Sequence, residues 1–350
     1  MLTGCDRPLS EAYDLAMLDL DGVVYVGPDP VPGAPDHLRL ARKQGMRLAY
    51  VTNNASRPPT AVAAHLRDLG VDLDDGDVVT SAQAAARLLA ERLPEGATVF
   101  VIGGHGLDEA LRERGLRPVQ DRDERPSAVV SGFSADLRWG TVIAGAILVR
   151  EGLPWVASNT DATVPTPHGP GPGNGALVEV VARFAGRDPV VAGKPEPPLM
   201  RETQLRTGGE HPLVVGDRLD TDIEGARRSG FDSLLVMTGV TDLEVLAGAT
   251  PDQRPTYVAA DLGALSRPQP LPEEEDGGVA DGPWQARVDD HGRVVVERAG
   301  EAAVRAEGDP EAVDAWWRVV ATAAWRHLDA TGRVADVSTL TVPGSVDGQD

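Results

Sequence analysis

The chain has 350 residues, 41% of them hydrophobic, and a formal net charge of −21, because Asp and Glu outnumber Lys and Arg by 54 to 33. That length exceeds one typical domain and supports a large core, while so acidic a surface repels nucleic-acid phosphates and anionic membranes and excludes both as general partners. The single cysteine, Cys5, leaves no intrachain disulfide and fits a reducing, cytoplasmic setting, and no apolar run approaches a membrane span.

From Tyr13 to Leu262, apolar runs alternate with amphipathic stretches. Leu15–Leu20, Arg47–Thr52, Val190–Ala192, Leu213–Val215 and Ser233–Val236 read as buried strands, and Ala34–Gln44, Thr60–Leu69, Ala82–Leu93, Pro197–Arg206 and Thr221–Ser229 as helices. This alternation predicts a Rossmann-like, doubly wound parallel sheet covered on both faces. The rhythm continues through Thr98–Ile102, Ala128–Ser131 and the helix Leu137–Arg150, then runs into a Pro/Gly-rich loop, Asp161–Gly175. That segment reads as a second α/β unit inserted into the first. The predicted organisation is a core over residues 1–82 and 186–265, an inserted α/β cap over 83–185, a Pro/acid/Gly-rich linker over 266–282, and a small α+β unit over 283–350. In the last of these, Asp290–Gly292 supplies a hairpin turn, and Pro310–Leu328 reads as a helix with Trp316, Val320, Ala324 and Leu328 at helical spacing.

Chemistry concentrates at strand ends. Asp19 and Asp21 close the run LAMLDLDG, where residues two apart on a strand share a side and Gly22 lets the chain turn away. Two carboxylates this close repel unless a cation binds, and a hard cation such as Mg²⁺ prefers carboxylate oxygens. A surface turn is the alternative reading of this pair alone. Thr52, Asn53 and Asn54 precede a proline-opened helix, and hydroxyl, amide and free N–H groups at a helix start can hold an anion or simply cap the helix. Lys194, in Gly193-Lys194-Pro195, could neutralise a phosphoryl group or sit in solvent. The strand Leu213–Val215 ends in Gly216-Asp217, where a third metal carboxylate would be wanted, and Asp220 and Asp222 follow at a helix start. In open α/β sheets, sites form beyond the carboxyl ends of strands, so these clusters can meet in space.

In their order and spacing, Asp19-Leu20-Asp21-Gly22, Thr52-Asn53-Asn54, Lys194 in GKPEP and Asp217–Asp222 resemble the four motifs of the haloacid dehalogenase superfamily, in its NagD-like and 4-nitrophenylphosphatase-like subclass. Pro172–Leu177, PGNGAL, resembles the end of that subclass's large cap. The resemblance covers Tyr13–Leu262 and leaves the remainder unexplained. It implies a Mg²⁺-dependent phosphatase of small phosphorylated metabolites. Asp19 would be the nucleophile and Asp21 the general acid/base. Thr52 and Lys194, with Asn53 and Asn54, would bind the substrate phosphoryl. Asp19, the Asp21 backbone carbonyl and Asp217 would hold the metal, with Asp222 supporting them from behind. Substrate choice would lie in the cap, in Asp161–Gly175 and Ser131–Arg138. Similar bacterial members with an added C-terminal region act on glycerol 3-phosphate, which makes that ester the leading substrate. Phosphoglycolate, nucleoside monophosphates and pyridoxal phosphate are alternatives, and a non-catalytic metal- or phosphate-binding module is the rival from another class. Relatives often dimerise through the cap, which implies a homodimer. His168 and His105 read as an exposed loop residue and part of a tight turn. Trp316 and Trp317 read as buried against the C-terminal hairpin.

Overall fold

The structure is a computed structural model that describes residues 1–166, 168–275, 277–298 and 309–343. Expectations for Pro167 in the proline-rich loop, Asp276 in the linker, and residues 299–308 and 344–350 of the C-terminal region lie outside the described residues. Residues 1–48 and 209–350 form one compact unit, and residues 49–208 form another.

The first unit contains four parallel strands in the order Leu15–Leu18, Pro212–Gly216, Asp232–Val236 and Tyr257–Ala259. In register, Leu18 faces Val215, Val215 faces Leu234, and Leu234 faces Tyr257. The strands are almost continuously apolar and buried, as parallel strands covered on both faces must be. The helix Ala34–Lys43 buries Ala34, Leu38 and Ala41, one stripe at helical spacing. A proline in its first turn, Asp36 near its start and Arg42 and Lys43 at its end suit the helix dipole.

The same unit carries an antiparallel sheet of Glu273–Glu275, Gly278–Asp281, Trp284–Val288 and Val294–Arg298, with the helix Pro310–Thr331 packed on it. The expected hairpin is therefore half of a four-stranded sheet, and part of the segment expected to be a solvated linker is strand. Its acids could be read as solvated because Glu273–Glu275 lies at the sheet edge with all its side chains exposed. The helix does more than cover its own hairpin. Trp284, Trp316, Trp317 and Trp325 share one buried cluster with Leu235 and Val258 of the parallel sheet.

In the second unit, residues 50–52 of the strand Arg47–Thr52 pair in parallel with Val78–Thr80. A separate five-stranded parallel sheet has the order Val190–Val191, Trp155–Ala157, Ala128–Ser131, Thr98–Ile102 and Arg117–Val119. The helices Trp139–Arg150 and Asn174–Ala185 pack against each other, burying Val142, Val149, Val178 and Val181 with Phe100 and Trp155. Val190–Val191, grouped by sequence with the core strands, pairs instead with Trp155–Ala157, because an apolar run identifies a strand without identifying its neighbour. Within the proline-rich loop, Thr163–Thr166 and Gly169–Pro172 form a two-stranded ribbon, where both strands are edges and tolerate proline.

Candidate active site

In the first unit the strand Leu15–Leu18 ends before the two aspartates, and Asp19 extends its ladder through one N–H donated to Val215 O at 2.8 Å. The chain then turns sharply. Val24 N–H donates to Leu20 O at 2.9 Å, Gly22 N–H to Tyr25 O at 2.8 Å, and Gly22 has φ +83°. Leu20 is buried while Asp21 is exposed, with its Oδ2 accepting a 3.4 Å hydrogen bond from the Tyr25 hydroxyl. The strand alternation expected to align Asp19 with Asp21 is thus replaced by a turn.

Asp217 sits at the end of Pro212–Gly216 with no solvent exposure. Its Oδ2 accepts the Val240 N–H at 2.7 Å, and its backbone carbonyl accepts the Thr241 hydroxyl at 2.6 Å. A Cβ at Gly22 or at Gly239 would collide with its carboxylate, so both glycines are needed for the close approach. After Arg218, the wide helical turn Leu219–Ile223 brings Asp222 back beneath Gly216, fully buried, with its Oδ2 accepting the Arg218 N–H at 3.2 Å. Carboxylate oxygens of Asp19, Asp217 and Asp222 lie within 4.8 Å of one another. Asp220 points elsewhere, exposed and paired with Arg218 at 2.8 Å.

The second unit assembles a different set. Thr52 is buried at the end of its strand, and its Oγ1 accepts the Asn54 N–H at 3.1 Å. Asn54 Oδ1 accepts the N–H and hydroxyl of Ser56 at 2.8 and 2.6 Å, a turn-forming role. Asn53 bonds to Lys194 twice, accepting its N–H at 2.8 Å and donating to its carbonyl at 3.0 Å. Lys194 is 3% exposed and begins a cis peptide to Pro195. His168 is exposed, as expected, whereas His105, expected in a tight turn, opens the helix His105–Glu113, with Glu109 at 3.6 Å.

The family model for haloacid dehalogenase-like hydrolases matches residues 16–117, and a HAD-hydrolase-like model matches 191–265. The D-glycerol 3-phosphate phosphatase of Mycobacterium tuberculosis is 44% identical over 282 residues, covering 78% of this chain and 79% of its own. The chain belongs to the haloacid dehalogenase-like hydrolases. A crystal structure of a glycerol phosphate phosphatase from Mycobacterium tuberculosis in complex with magnesium superposes with a TM-score of 0.79 at 40% identity, covering 91% of this chain and 92% of that one. The 4-nitrophenylphosphatase of Thermotoga maritima gives 0.68 at 31% identity, covering 98% of its own length but 74% of this chain. The fold is the Rossmann-like α/β arrangement of these hydrolases.

The acid cluster fits a hard divalent cation. It offers oxygen donors only, two of its carboxylates are fully buried, and three ionised carboxylates at this spacing repel one another unless a cation lies among them. Sequence reasoning missed Asn159, Asp161 and Asn174 as parts of the second set. Asn159 Nδ2 donates to Asn53 O at 2.6 Å, Asn174 Nδ2 to Asn159 O at 2.6 Å, and Asn53 Nδ2 to Asp161 Oδ1 at 2.9 Å. The signal was present: Ser158-Asn159-Thr160-Asp161 follows the strand Trp155–Ala157 just as Asn53-Asn54 follows Arg47–Thr52.

Proposed function

We propose that this hydrolase is a Mg²⁺-dependent phosphatase that cleaves a small phosphate monoester through an aspartyl-phosphate, with glycerol 3-phosphate as its substrate. The observation that carries the reaction class is the cluster of Asp19, Asp217 and Asp222 at the strand ends of a haloacid dehalogenase-like chain. The substrate rests on the relative whose name specifies D-glycerol 3-phosphate.

In this reading a carboxylate oxygen of Asp19 attacks phosphorus as the ester P–O bond breaks, and Asp21 gives its proton to the leaving alkoxide. Asp21 then takes a proton from water, whose oxygen attacks phosphorus. The bond to Asp19 breaks, inorganic phosphate leaves and Asp19 is restored. The exposure of Asp21 supports this role, because an acid/base must reach both leaving group and water. Thr52 and Lys194 hold the transferred phosphoryl and offset its charge. Asp19, Asp217 and the Asp21 carbonyl would hold Mg²⁺, with Asp222 beside them, and the ion would supply charge neutralisation at the phosphoryl oxygens.

The reading includes a homodimer, checked by gel filtration, a cap over residues 83–185 and a cytoplasmic enzyme, which the lone cysteine supports. No helix among the described residues is long and apolar enough to cross a membrane. A panel of phosphate esters tests the substrate: kcat/KM for glycerol 3-phosphate should exceed that of phosphoglycolate, pyridoxal phosphate and nucleoside monophosphates, and uniformly poor turnover would reject it.

A further inference from the structure

We infer that Asn53 is a positioning residue that sets the spacing of Thr52 and Lys194, and that Asp161 locks it in place. The inference rests on the reading above, in which those two groups hold the phosphoryl. They come from distant segments of the second unit, and the fold must hold them in register. Asn53 follows Thr52 directly, so whatever its amide grips is tied to Thr52.

The amide grips Lys194 by both backbone groups. Its Oδ1 accepts the Lys194 N–H at 2.8 Å and its Nδ2 donates to the Lys194 carbonyl at 3.0 Å. The second Nδ2 hydrogen goes to Asp161 Oδ1 at 2.9 Å, an ionised acceptor and therefore a stronger one. With both hydrogens used, this amide is committed to Lys194 and Asp161 rather than to a ligand. The Asn53 backbone carbonyl is held as well, by the Ser81 hydroxyl at 2.5 Å and Asn159 Nδ2 at 2.6 Å. Gly193 lets the chain pass, since a Cβ there would collide with Asn53 Oδ1 and the Ser158 carbonyl. Asn53 and Lys194 are buried, so their bonds face little competition from water. Asp161 begins the Asp161–Gly175 segment, which links the grip on Lys194 to the segment expected to choose the substrate.

The test is a polarity swap. Asn53→Asp keeps the shape but sets an oxygen against the Lys194 carbonyl and the Asp161 carboxylate. Asp161→Asn in that background returns an N–H donor to the new carboxylate. Misplacing a phosphoryl-holding group by about 1 Å costs about 100-fold. Asn53→Asp should therefore lower kcat/KM about 10- to 100-fold and weaken inhibition by inorganic phosphate at least about tenfold. Asn53→Ala, which adds no charge, should lose both in the same direction, and the double variant should recover at least about tenfold of each. A role confined to stability would lower the melting temperature and leave phosphate inhibition unchanged. The inference fails if the active parent and Asn53→Asp share one kcat/KM and one phosphate inhibition constant, or if the double variant is no better than Asn53→Asp. A parent that hydrolyses no phosphate ester would overturn the phosphatase reading together with this inference.

Discussion

At the scale of single residues, the acid cluster divides into groups with different surroundings and different expected costs on mutation. Asp217 is fixed from several sides: Val240 and Thr241 hold it, and Gly22 and Gly239 make room for its carboxylate. Asp217→Asn keeps the shape and removes the charge, so Mg²⁺ affinity measured by calorimetry should fall at least about tenfold. Gly239→Ala should disturb the same carboxylate by steric overlap and weaken Mg²⁺ binding while leaving every acid in place. Unchanged Mg²⁺ affinity in both variants would remove Asp217 from the proposed site. The sequence made the acids legible because Asp and Gly after an apolar run mark the end of a buried strand. The turn at Gly22 was legible too, but not that it begins at Leu20 and so takes Asp21 out of the strand alternation, nor that Asp222 would come back beneath Gly216. That return depends on the wide turn Leu219–Ile223, whose hydrogen-bond spacing leaves no residue pattern to read.

At the scale of elements, the second unit joins three of its helices through one buried carboxylate. Glu202 of the helix Pro197–Thr207 has no solvent exposure and meets Arg87 of Ser81–Ala90, Arg206 of its own helix, and Arg114 at 2.7 Å. Arg114 follows the helix His105–Glu113, and Arg206 reaches Glu113 of that helix at 2.9 Å. Burial alone would raise the Glu202 carboxyl, but the hydrogen bonds from Arg87 and Arg206 outweigh it and hold the group below its ordinary value of 4.5. With the folded pKa the lower of the two, ionised Glu202 stabilises the fold above the unfolded value, and that contribution is lost as pH falls through the folded one. Glu202→Gln should therefore cost about 1.5–3 kcal/mol of stability at neutral pH, because three half-buried arginines lose the charge that holds them. The gap between parent and variant in thermal melting should narrow as pH falls below the ordinary value of 4.5 and through the lower folded one. A gap that stays constant with pH would place the effect in packing instead. None of this was legible in the sequence, since Glu202 on an amphipathic helix looks like any solvated acid. Arg47–Thr52, Thr98–Ile102 and Ala128–Ser131, in contrast, lie where their apolar runs predict.

For the molecule as a whole, the C-terminal region is part of the first unit's core. Trp325 is fully buried, donates its indole N–H to Leu246 O at 2.7 Å, and lies under Arg254, 5.4 Å from the ring centre. Arg254 also holds Asp329 through two bonds of 2.7 Å. Asp314, 1% exposed, accepts the Ala260 N–H at 2.9 Å and pairs with Arg267 at 2.7 Å. Removing Gly282–Asp350 should uncover Leu235 and Val258 and yield an insoluble or partly unfolded chain. Trp325→Ala should cost about 3–5 kcal/mol. A truncated chain with parental solubility, melting temperature and kinetics would show the region to be dispensable. The stripe Trp316, Val320, Ala324 and Leu328 announced a buried helix face, but a periodic stripe cannot say which surface it buries against.

If Asp19 is the nucleophile of a metal-dependent phosphatase, steady-state release of inorganic phosphate from glycerol 3-phosphate must distinguish the parent from Asp19→Asn. The parent should turn over with Mg²⁺, lose activity in EDTA and recover it on adding Mg²⁺, and kcat should fall at least about a thousandfold in folded Asp19→Asn. Full turnover by Asp19→Asn, or by the parent in EDTA, would contradict that mechanism.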